Sequence, residues 1–506
     1  MKPFITVVLT YFLSTCIAGA QQSLPADVVF KIKQEALENS KIESLAVYLT
    51  DYAGPRLPAS KQGERGEELA KNKLEELGFS NARIERAADF SRGGWDNTKT
   101  YAAMTVPYYC NFSCTPKAWS GSTHGVVSGE VILLKIDDPK DIEKYKGKLC
   151  DKIVLMPATM GYSTQFTPYA TRQSDERLAE LAKDPRFQSS STRTQNVVRA
   201  STGDIIDLQQ MISTLLEEEK PAVIVSGDGV FNVPRSLSVP YRYGDPEPVA
   251  ELVLPVEAHG RMTRMIDANI NVSMEIEIKN EFYDNQVMNN VMAELPGTDP
   301  KLKNEIVMIG GHLDSWHGGT GATDNAAGCV VMMEALRIIK AIGAKPRRTI
   351  RIALWGGEEQ AMVGSIGYRE NELFDVDNNK PRKGYDQFAL YLNMDHGSGK
   401  FRGIYLEEND MAFPFFREWS KGMEAMDFGV LSPRKTGWTD HATFDEIGLP
   451  SFQFIQDDLE YRRSYHTLMD TYERLVISDL QYNAIVIACL ALSAAMDDGK
   501  IPPKPF

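Results

Sequence analysis

Two adjacent glutamates, Glu358 and Glu359, follow an apolar run in the stretch ALWGGEEQAMVGS at residues 353–365. On a protein surface such a pair is simply solvated. Beside a metal ion, one carboxylate can bind the ion while the other moves a proton. Which interpretation applies depends on the side chains that the fold brings next to the pair.

Four apolar runs in the second half of the chain end in side chains that can bind metal. The runs occupy residues 305–312, 349–357, 387–395 and 450–456. The carboxylates and imidazoles at or beyond their ends are His312, Asp314, Asp324, Glu358, Glu359, Asp395 and His466. Taken singly, each has an ordinary explanation. Asp324 could cap the helix that follows it, and a lone histidine is usually structural.

The elements that must position these residues are predicted to form one sheet. Near-continuous apolar runs separated by helical stretches are typical of an α/β fold with a mostly parallel, twisted sheet covered by helices on both faces. In such sheets, sites form just beyond the carboxyl ends of the strands. The ligand-type side chains are therefore expected at one edge of one sheet.

Carboxylates that converge at one sheet edge repel each other unless cations lie among them. No Lys or Arg adjoins Asp324, Glu358, Glu359 or Asp395 in the sequence, so two divalent cations are the expected solution. Imidazole and carboxylate ligands without a thiolate suit zinc in an open, catalytic site. Two such ions can share a bridging hydroxide at neutral pH and polarise a carbonyl, which is the chemistry of amide hydrolysis.

Five stretches of the sequence then show a resemblance to a known family. They are GGHLDSWHGGTGATDNAAG, LWGGEEQAMVGSIGY, NMDHGSG, TDHATFDEIGLP and YHTLMDTYE. They resemble successive motifs of the di-zinc exopeptidase family, which contains bacterial leucyl-type aminopeptidases, glutamate carboxypeptidases and carboxypeptidase Q (plasma glutamate carboxypeptidase). The resemblance covers residues 283–495 and, more loosely, 41–85.

The resemblance implies a role for each ligand-type residue. One zinc ion would be held by His312, Asp324 and Asp395, and the other by Asp324, Glu359 and His466. Glu358 would be the general base, and Asp314 would orient the His312 imidazole. Tyr465 would stabilise the oxyanion of the tetrahedral intermediate, although a packed aromatic residue is the simpler interpretation.

Four further residues near these stretches have separate expectations. Arg462 and Arg463 could clamp a substrate carboxylate in a bidentate fork, or form a solvated basic pair. His441 is expected to line the pocket without binding metal. His317, in the loop after HLDSW, is not part of the family's usual set.

The length of 506 residues indicates more than one domain. Residues 1–20 read as a signal peptide, with Lys2, an apolar stretch and a final Ala-Gly-Ala. We divide the rest into an N-terminal part of the catalytic domain at 21–117, a β-rich insert at 118–282 that resembles a protease-associated domain, and the main catalytic part at 283–506. A lipoprotein anchor through Cys16 is disfavoured because Thr15 precedes it.

The bulk properties limit the partners. A net charge of −14 argues against nucleic-acid binding. The apolar run at 484–496 is short for a membrane span and suits a core helix. Cys110 and Cys114 could pair after export. A peptide or dipeptide is the expected substrate, and a homodimer is an open option.

The sequence thus predicts a secreted or periplasmic di-zinc exopeptidase. Its polarity stays open between an aminopeptidase and a carboxypeptidase or dipeptidase. Two more remote alternatives are a receptor-like relative that lost its metals and a mono-zinc acyltransferase of the glutaminyl-cyclase type. A complete set of ligands argues against the first, and a stoichiometry near one zinc per chain would favour the second.

Overall fold

The computed structural model describes residues 23–157, 161–183 and 202–504. Two large sheets dominate it. The first contains β1 (Ser80–Asp89), β10 (Val287–Leu295), β11 (Ile306–His312), β12 (Thr349–Trp355), β15 (Phe388–Asn393), β16 (Phe401–Tyr405), β17 (Val430–Ser432) and β18 (Ser451–Gln456). The second contains β2 (Gly94–Val106), β3 (Cys110–Asn111), β4 (Thr115–Pro116), β5 (Val127–Leu133), β6 (Ile153–Leu155), β7 (Val223–Gly227), β8 (Glu251–Leu254) and β9 (Ser273–Tyr283). A small hairpin is formed by β13 (Phe374–Asp375) and β14 (Lys380–Pro381).

The helices lie between and around these strands. They are α1 (Ala26–Glu38), α2 (Ile42–Val47), α3 (Lys61–Glu76), α4 (Asp175–Leu181), α5 (Thr202–Glu219), α6 (Val256–Asp267), α7 (Ala327–Ala341), α8 (Val363–Tyr368), α9 (Lys383–Gln387), α10 (Phe413–Trp419), α11 (His441–Asp445), α12 (Tyr461–Ser464) and α13 (Ile477–Met496). The α3 helix begins at Lys61 because the Ser60 hydroxyl caps it, accepting a hydrogen bond from the Gly63 amide at 2.9 Å.

The first sheet has the strand order β1-β10-β12-β11-β15-β18-β16-β17. Its centre is parallel: β12, β11, β15 and β18 all run in one direction. Successive residues of β11 point to opposite faces, so Val307 and Ile309 pack with α7 and α13 while Met308 packs with α8 and α11. Both faces of the sheet are covered, which confirms the predicted α/β class.

The apolar run near the C-terminus belongs to α13. By length and composition α13 is, among the helices that the structure describes, the single candidate for a membrane span. Its residues are nevertheless buried against α7, α1 and the first sheet. It is therefore a core helix of this fold, as the sequence predicts.

The second sheet forms a separate module between β1 and β10. Its apolar residues pack in two layers, one under α6 and one under α5 and the turn at Pro139–Lys144. The module begins at Gly94 with β2, earlier than the insert boundary of 118 expected from sequence, because β2 pairs along its whole length with the distant β9. Cys110 and Cys114 are both free thiols.

Candidate metal centre and active-site cleft

The parallel strands deliver the ligand-type side chains to one edge of the first sheet. His312 is the last residue of β11, and it lies opposite Trp355, the last residue of β12. Glu359 lies four residues after the end of β12, and Asp395 lies two residues after the end of β15. The strand ends are in register, so these side chains meet although they are distant in sequence.

The other two ligand-type residues come from irregular segments. Asp324 lies in a short π-type turn, Ala322–Ala326, where its backbone is not helical. His466 follows α12 and has a left-handed backbone with φ 57°. Both therefore depend on tertiary contacts for their positions.

Two groups of potential ligands share Asp324. In the first, Nε2 of His312 lies 3.3 Å from Oδ1 of Asp324 and 3.3 Å from Oδ1 of Asp395. In the second, Nε2 of His466 lies 3.2 Å from Oδ2 of Asp324 and 2.9 Å from Oε2 of Glu359. Within each group the ligand atoms lie within 4.8 Å of one another. The two oxygens of Asp324 thus face different imidazoles, which is the arrangement of a bridging carboxylate.

The donor atoms fit a pair of cations. Nε2 of His312, Oδ2 of Asp324 and Oε1 of Glu359 are buried and make no hydrogen bond among the described residues. Buried polar atoms are normally paired, so three unpaired ligand-type atoms in this cluster indicate that a further group binds there. An imidazole and carboxylate set without thiolate is that of zinc.

The acidity of these groups reflects the crowding of charges. Burial raises the pKa of Glu359 to about 8, and the negative charge of Asp324 adds to this rise. Burial opposes ionisation of Asp324 too, but the His312 and His466 imidazoles hold its pKa well below the usual value. Burial would lower the pKa of His312, yet Asp395 and the neighbouring carboxylates raise it. A cation between these groups would offset the repulsion among the buried carboxylates and favour their ionised forms.

Asp314 connects the two strand ends. Its backbone carbonyl accepts a hydrogen bond from Nδ1 of His312 at 3.0 Å, which leaves Nε2 for the ligand space. Its carboxylate accepts from the backbone amides of Glu358 at 3.1 Å and Glu359 at 3.3 Å. The carboxylate oxygen itself lies 3.6 Å from Nδ1 of His312. The orienting contact to the imidazole thus comes from the backbone, while the side chain fixes the glutamate pair.

A cleft of about 650 Å³ opens next to this cluster. Asp324, Glu358, Glu359, Asp395, Tyr465 and His466 line it. Burial raises the pKa of Glu358 well above its usual value, and the charges of Asp395 and Asp440 contribute to the rise. The ring of Tyr465 stacks on His466 with 3.5 Å between centroids. Glu358 and Tyr465 therefore lie between the ligand cluster and the space for a substrate.

The structure separates the remaining predicted residues. Arg462 is exposed and lines the cleft. Arg463 instead places its guanidinium 4.7 Å from the ring centroid of Phe231 and pairs with Glu460 at 3.3 Å, so the two arginines form neither a joint fork nor a solvated basic pair.

His441 and His317 both lie outside the ligand cluster. His441 does not line the cleft as predicted, because it is fully buried with Nε2 3.4 Å from a Glu407 oxygen. His317 is a structural residue: its Nε2 lies 2.8 Å from the Pro116 carbonyl, and burial lowers its pKa to about 4.

Three supporting residues were not found from the sequence. The Asp470 carboxylate accepts hydrogen bonds from the Thr323 and Asp324 amides at 2.6 and 3.0 Å, which fixes the bridging residue. The Trp316 indole donates to Oε2 of Glu359 at 2.7 Å. The buried Arg56 guanidinium donates to the backbone carbonyls of Leu313 and Gly321, near the two ends of the loop that joins His312 to Asp324. Asp470 and Arg56 lie within stretches of the family resemblance, which is the signal that could have marked them.

The chain is similar in sequence to known peptidases. The model of Peptidase family M28 matches residues 290–491, which contain every candidate ligand. Carboxypeptidase Q from Mus musculus is 23% identical over 468 residues, or 92% of this chain and 87% of that protein.

Solved structures share the fold. A Peptidase M28 precursor from Shewanella amazonensis superposes with a TM-score of 0.68 at 22% identity, over 95% of this chain and 98% of that one. A zinc aminopeptidase from Bacillus subtilis gives a TM-score of 0.54 at 18% identity, over 91% and 98% of the two chains.

Proposed function

We propose that this chain, in which the model of Peptidase family M28 matches residues 290–491, is an exported di-zinc exopeptidase. Its substrates are peptides that lose a terminal residue, or dipeptides. The observation that carries the proposal is the Asp324 carboxylate, whose two oxygens face the His312 and His466 imidazoles separately. Such an arrangement suits two ions that share one ligand.

The protein groups have distinct tasks in this proposal. His312 and Asp395 complete one ion site, and Glu359 and His466 complete the other, with Asp324 common to both. Bound zinc supplies a hydroxide at neutral pH and polarises the peptide carbonyl. Glu358 holds the proton of the attacking water and returns it to the leaving amine, for which a raised pKa is suitable.

Tyr465 is placed on the substrate side of the ligand cluster. It lines the cleft, and its ring is fixed by stacking on His466. Its hydroxyl donates a hydrogen bond to the carbonyl oxygen as negative charge develops there. The role of Asp314 is to hold Glu358 and Glu359 through their amides.

Replacement of the base tests the proposal. Glu358→Gln keeps the shape of the side chain but cannot take a proton, so kcat should fall about 10²- to 10⁴-fold while two zinc ions per chain are retained. Glu372→Gln, at an exposed position of the same domain, is the matched control. An active Glu358→Gln enzyme would contradict the base assignment.

Elemental analysis of the purified protein separates the alternatives. No bound zinc in a chelator-free preparation would favour a receptor-like protein, and a stoichiometry near one would favour a cyclase-type acyltransferase. Two ions per chain are the expected result.

One observation favours carboxypeptidase or dipeptidase polarity over aminopeptidase polarity. Arg462 lines the cleft and is exposed, and after the hydrogen bond of His396 its charge also helps to lower the pKa of the Asp458 carboxyl. An arginine at this position can bind the terminal carboxylate of a short substrate. The full-length similarity to carboxypeptidase Q supports the same polarity.

Polarity is tested with paired substrates. Arg462→Gln should raise KM for free dipeptides at least about tenfold, since a charge-assisted hydrogen bond is lost. The same change should leave KM for the corresponding dipeptide amides unaltered. A wild-type enzyme that cleaves aminoacyl amides better than dipeptides would establish aminopeptidase polarity instead.

Export is proposed from the N-terminal sequence. Residues 1–20 and Cys16 lie outside the described residues, and the basic start, apolar stretch and Ala18-Gly19-Ala20 are the support for cleavage. N-terminal sequencing of the mature protein should begin at about residue 21. A lipid-modified Cys16 at the N-terminus would indicate an anchored protein.

A further inference from the structure

The loop that carries Tyr465 and His466 is held by the second module. The Ser236 amide donates a hydrogen bond to the His466 carbonyl at 2.7 Å, and Arg235 forms an antiparallel bridge with Thr467. His466 has a left-handed backbone, which is unfavourable for a residue with a side chain and persists only where neighbours enforce it. The module thus supplies a constraint on a loop of the active site.

Side-chain contacts between the two parts are reciprocal. The Arg235 guanidinium of the module lies 4.9 Å from the ring centroid of Tyr465. In return, the Arg463 guanidinium of the loop lies 4.7 Å from Phe231 and 5.3 Å from Tyr169, two rings that pack edge to face. Each arginine therefore stacks on an aromatic residue of the other part.

The ring of Tyr465 is therefore contacted by one residue from each of the two sheets' domains. His466 stacks on it within the catalytic part, and Arg235 reaches it from the module. Its ring is only half-buried and lines the cleft, so the surrounding core does not fix its rotamer alone. Catalytic groups must be held within a few tenths of an ångström of the productive geometry.

We infer that Arg235 is a positioning residue of the active site, which holds the phenol of Tyr465 where it meets the developing oxyanion of the substrate. The second module is then a working part of the catalytic centre and not only an appendage. This inference rests on the oxyanion role of Tyr465 in the proposed function.

A double-mutant cycle tests the inference. Arg235→Ala should lower kcat about tenfold, with KM and the zinc content unchanged, because the cation–π contact is lost while the ligands stay. Arg235→Lys keeps a cation and should recover part of the loss. In the Tyr465→Phe background, Arg235→Ala should have almost no further effect, because both changes act through one hydroxyl.

Arg264→Ala, an exposed arginine on α6 of the same module, is the matched control and should leave kcat unchanged. If Arg235→Ala fails to fold, Arg235→Gln, which retains most of the side chain, takes its place in the cycle. A second readout is inhibition by a phosphinate mimic of the tetrahedral intermediate, which should weaken in parallel with kcat.

The outcomes separate the inference from the proposed function. Full kcat in Tyr465→Phe alone would contradict the oxyanion role itself. A large loss in Tyr465→Phe together with an independent, multiplicative loss in Arg235→Ala would overturn the inference only. Loss of zinc or an altered KM in Arg235→Ala would also overturn it, since it would show a structural effect.

Discussion

The hydrogen bond from Trp316 to Glu359 offers a direct test of the metal centre. The indole Nε1 donates to Oε2 of Glu359 at 2.7 Å, and Trp316 also packs on His466 with 5.6 Å between centroids. Trp316→Phe removes the donor and keeps an aromatic ring in contact with His466. The perturbation therefore isolates one hydrogen bond to a proposed ligand.

The expected magnitude follows from the charge of the acceptor. A hydrogen bond to an ionised group contributes about 1.5–3 kcal/mol, and about 1.4 kcal/mol corresponds to a tenfold change in a binding constant. Trp316→Phe should therefore weaken zinc binding about 10- to 100-fold, the range found for groups that orient metal ligands. The affected ion should be the one bound by Glu359 and His466.

The assay is a zinc-buffered activity titration, in which free zinc is set by a competing chelator. Trp419→Phe is a matched control, because its indole also donates to a buried carboxylate, that of Asp497 at 2.9 Å, away from the cleft. The control should lower the free energy of unfolding but leave zinc affinity unchanged. Equal zinc affinities in wild type and Trp316→Phe would refute the assignment of Glu359 as a ligand.

Three further predictions concern the metals, the core and pH. Chelation of zinc should abolish activity and lower the thermal unfolding midpoint, and added zinc should restore both. The midpoint should shift because a ligand at 100 times its Kd stabilises the folded state by about 2.7 kcal/mol. A midpoint that does not respond to the chelator would contradict bound zinc. Arg348→Met should lower the free energy of unfolding by about 3–5 kcal/mol in urea titrations. The change removes the buried guanidinium that donates to the Glu305 carboxylate and to the Ala494 and Asp497 carbonyls. A loss below about 1 kcal/mol would contradict this prediction. The pKa of His317 is about 4 in the folded protein, below the unfolded value, so protonation favours unfolding and stability should fall as pH drops below about 6.5. Between pH 7 and pH 5 this loss should be about 2 kcal/mol larger in wild type than in His317→Gln.

The central sheet and the ligand cluster were predictable from sequence because both rest on local signals. Apolar runs of strand length mark β11, β12 and β15, and the rule that parallel sheets form sites beyond their carboxyl ends places His312, Glu359 and Asp395 together. No side-chain detail is needed for that step. The α/β class is accordingly confirmed.

The support of the site was not predictable in the same way. Trp316, Asp470 and Arg56 act through hydrogen bonds whose partners are set by loop conformation, and loop conformation leaves no periodic signal in the sequence. His441 shows the opposite error: its motif borders the cleft, but the side chain turns into the core beside Glu407. The second sheet begins at Gly94 and not near residue 118 because β2 pairs along its length with β9, which is distant in sequence.

The pairing of β2 with β9 has a consequence for how the chain assembles. Gly94 lies opposite Tyr283, so the two ends of the module are adjacent, and directly outside them Asp89 of β1 lies opposite Val287 of β10. Once the module has formed, a connection of great contour length behaves like a short hairpin turn, and the entropy of closing it no longer opposes the docking of β1. If the module forms first, its length therefore adds little to the entropy cost of pairing β1 with β10.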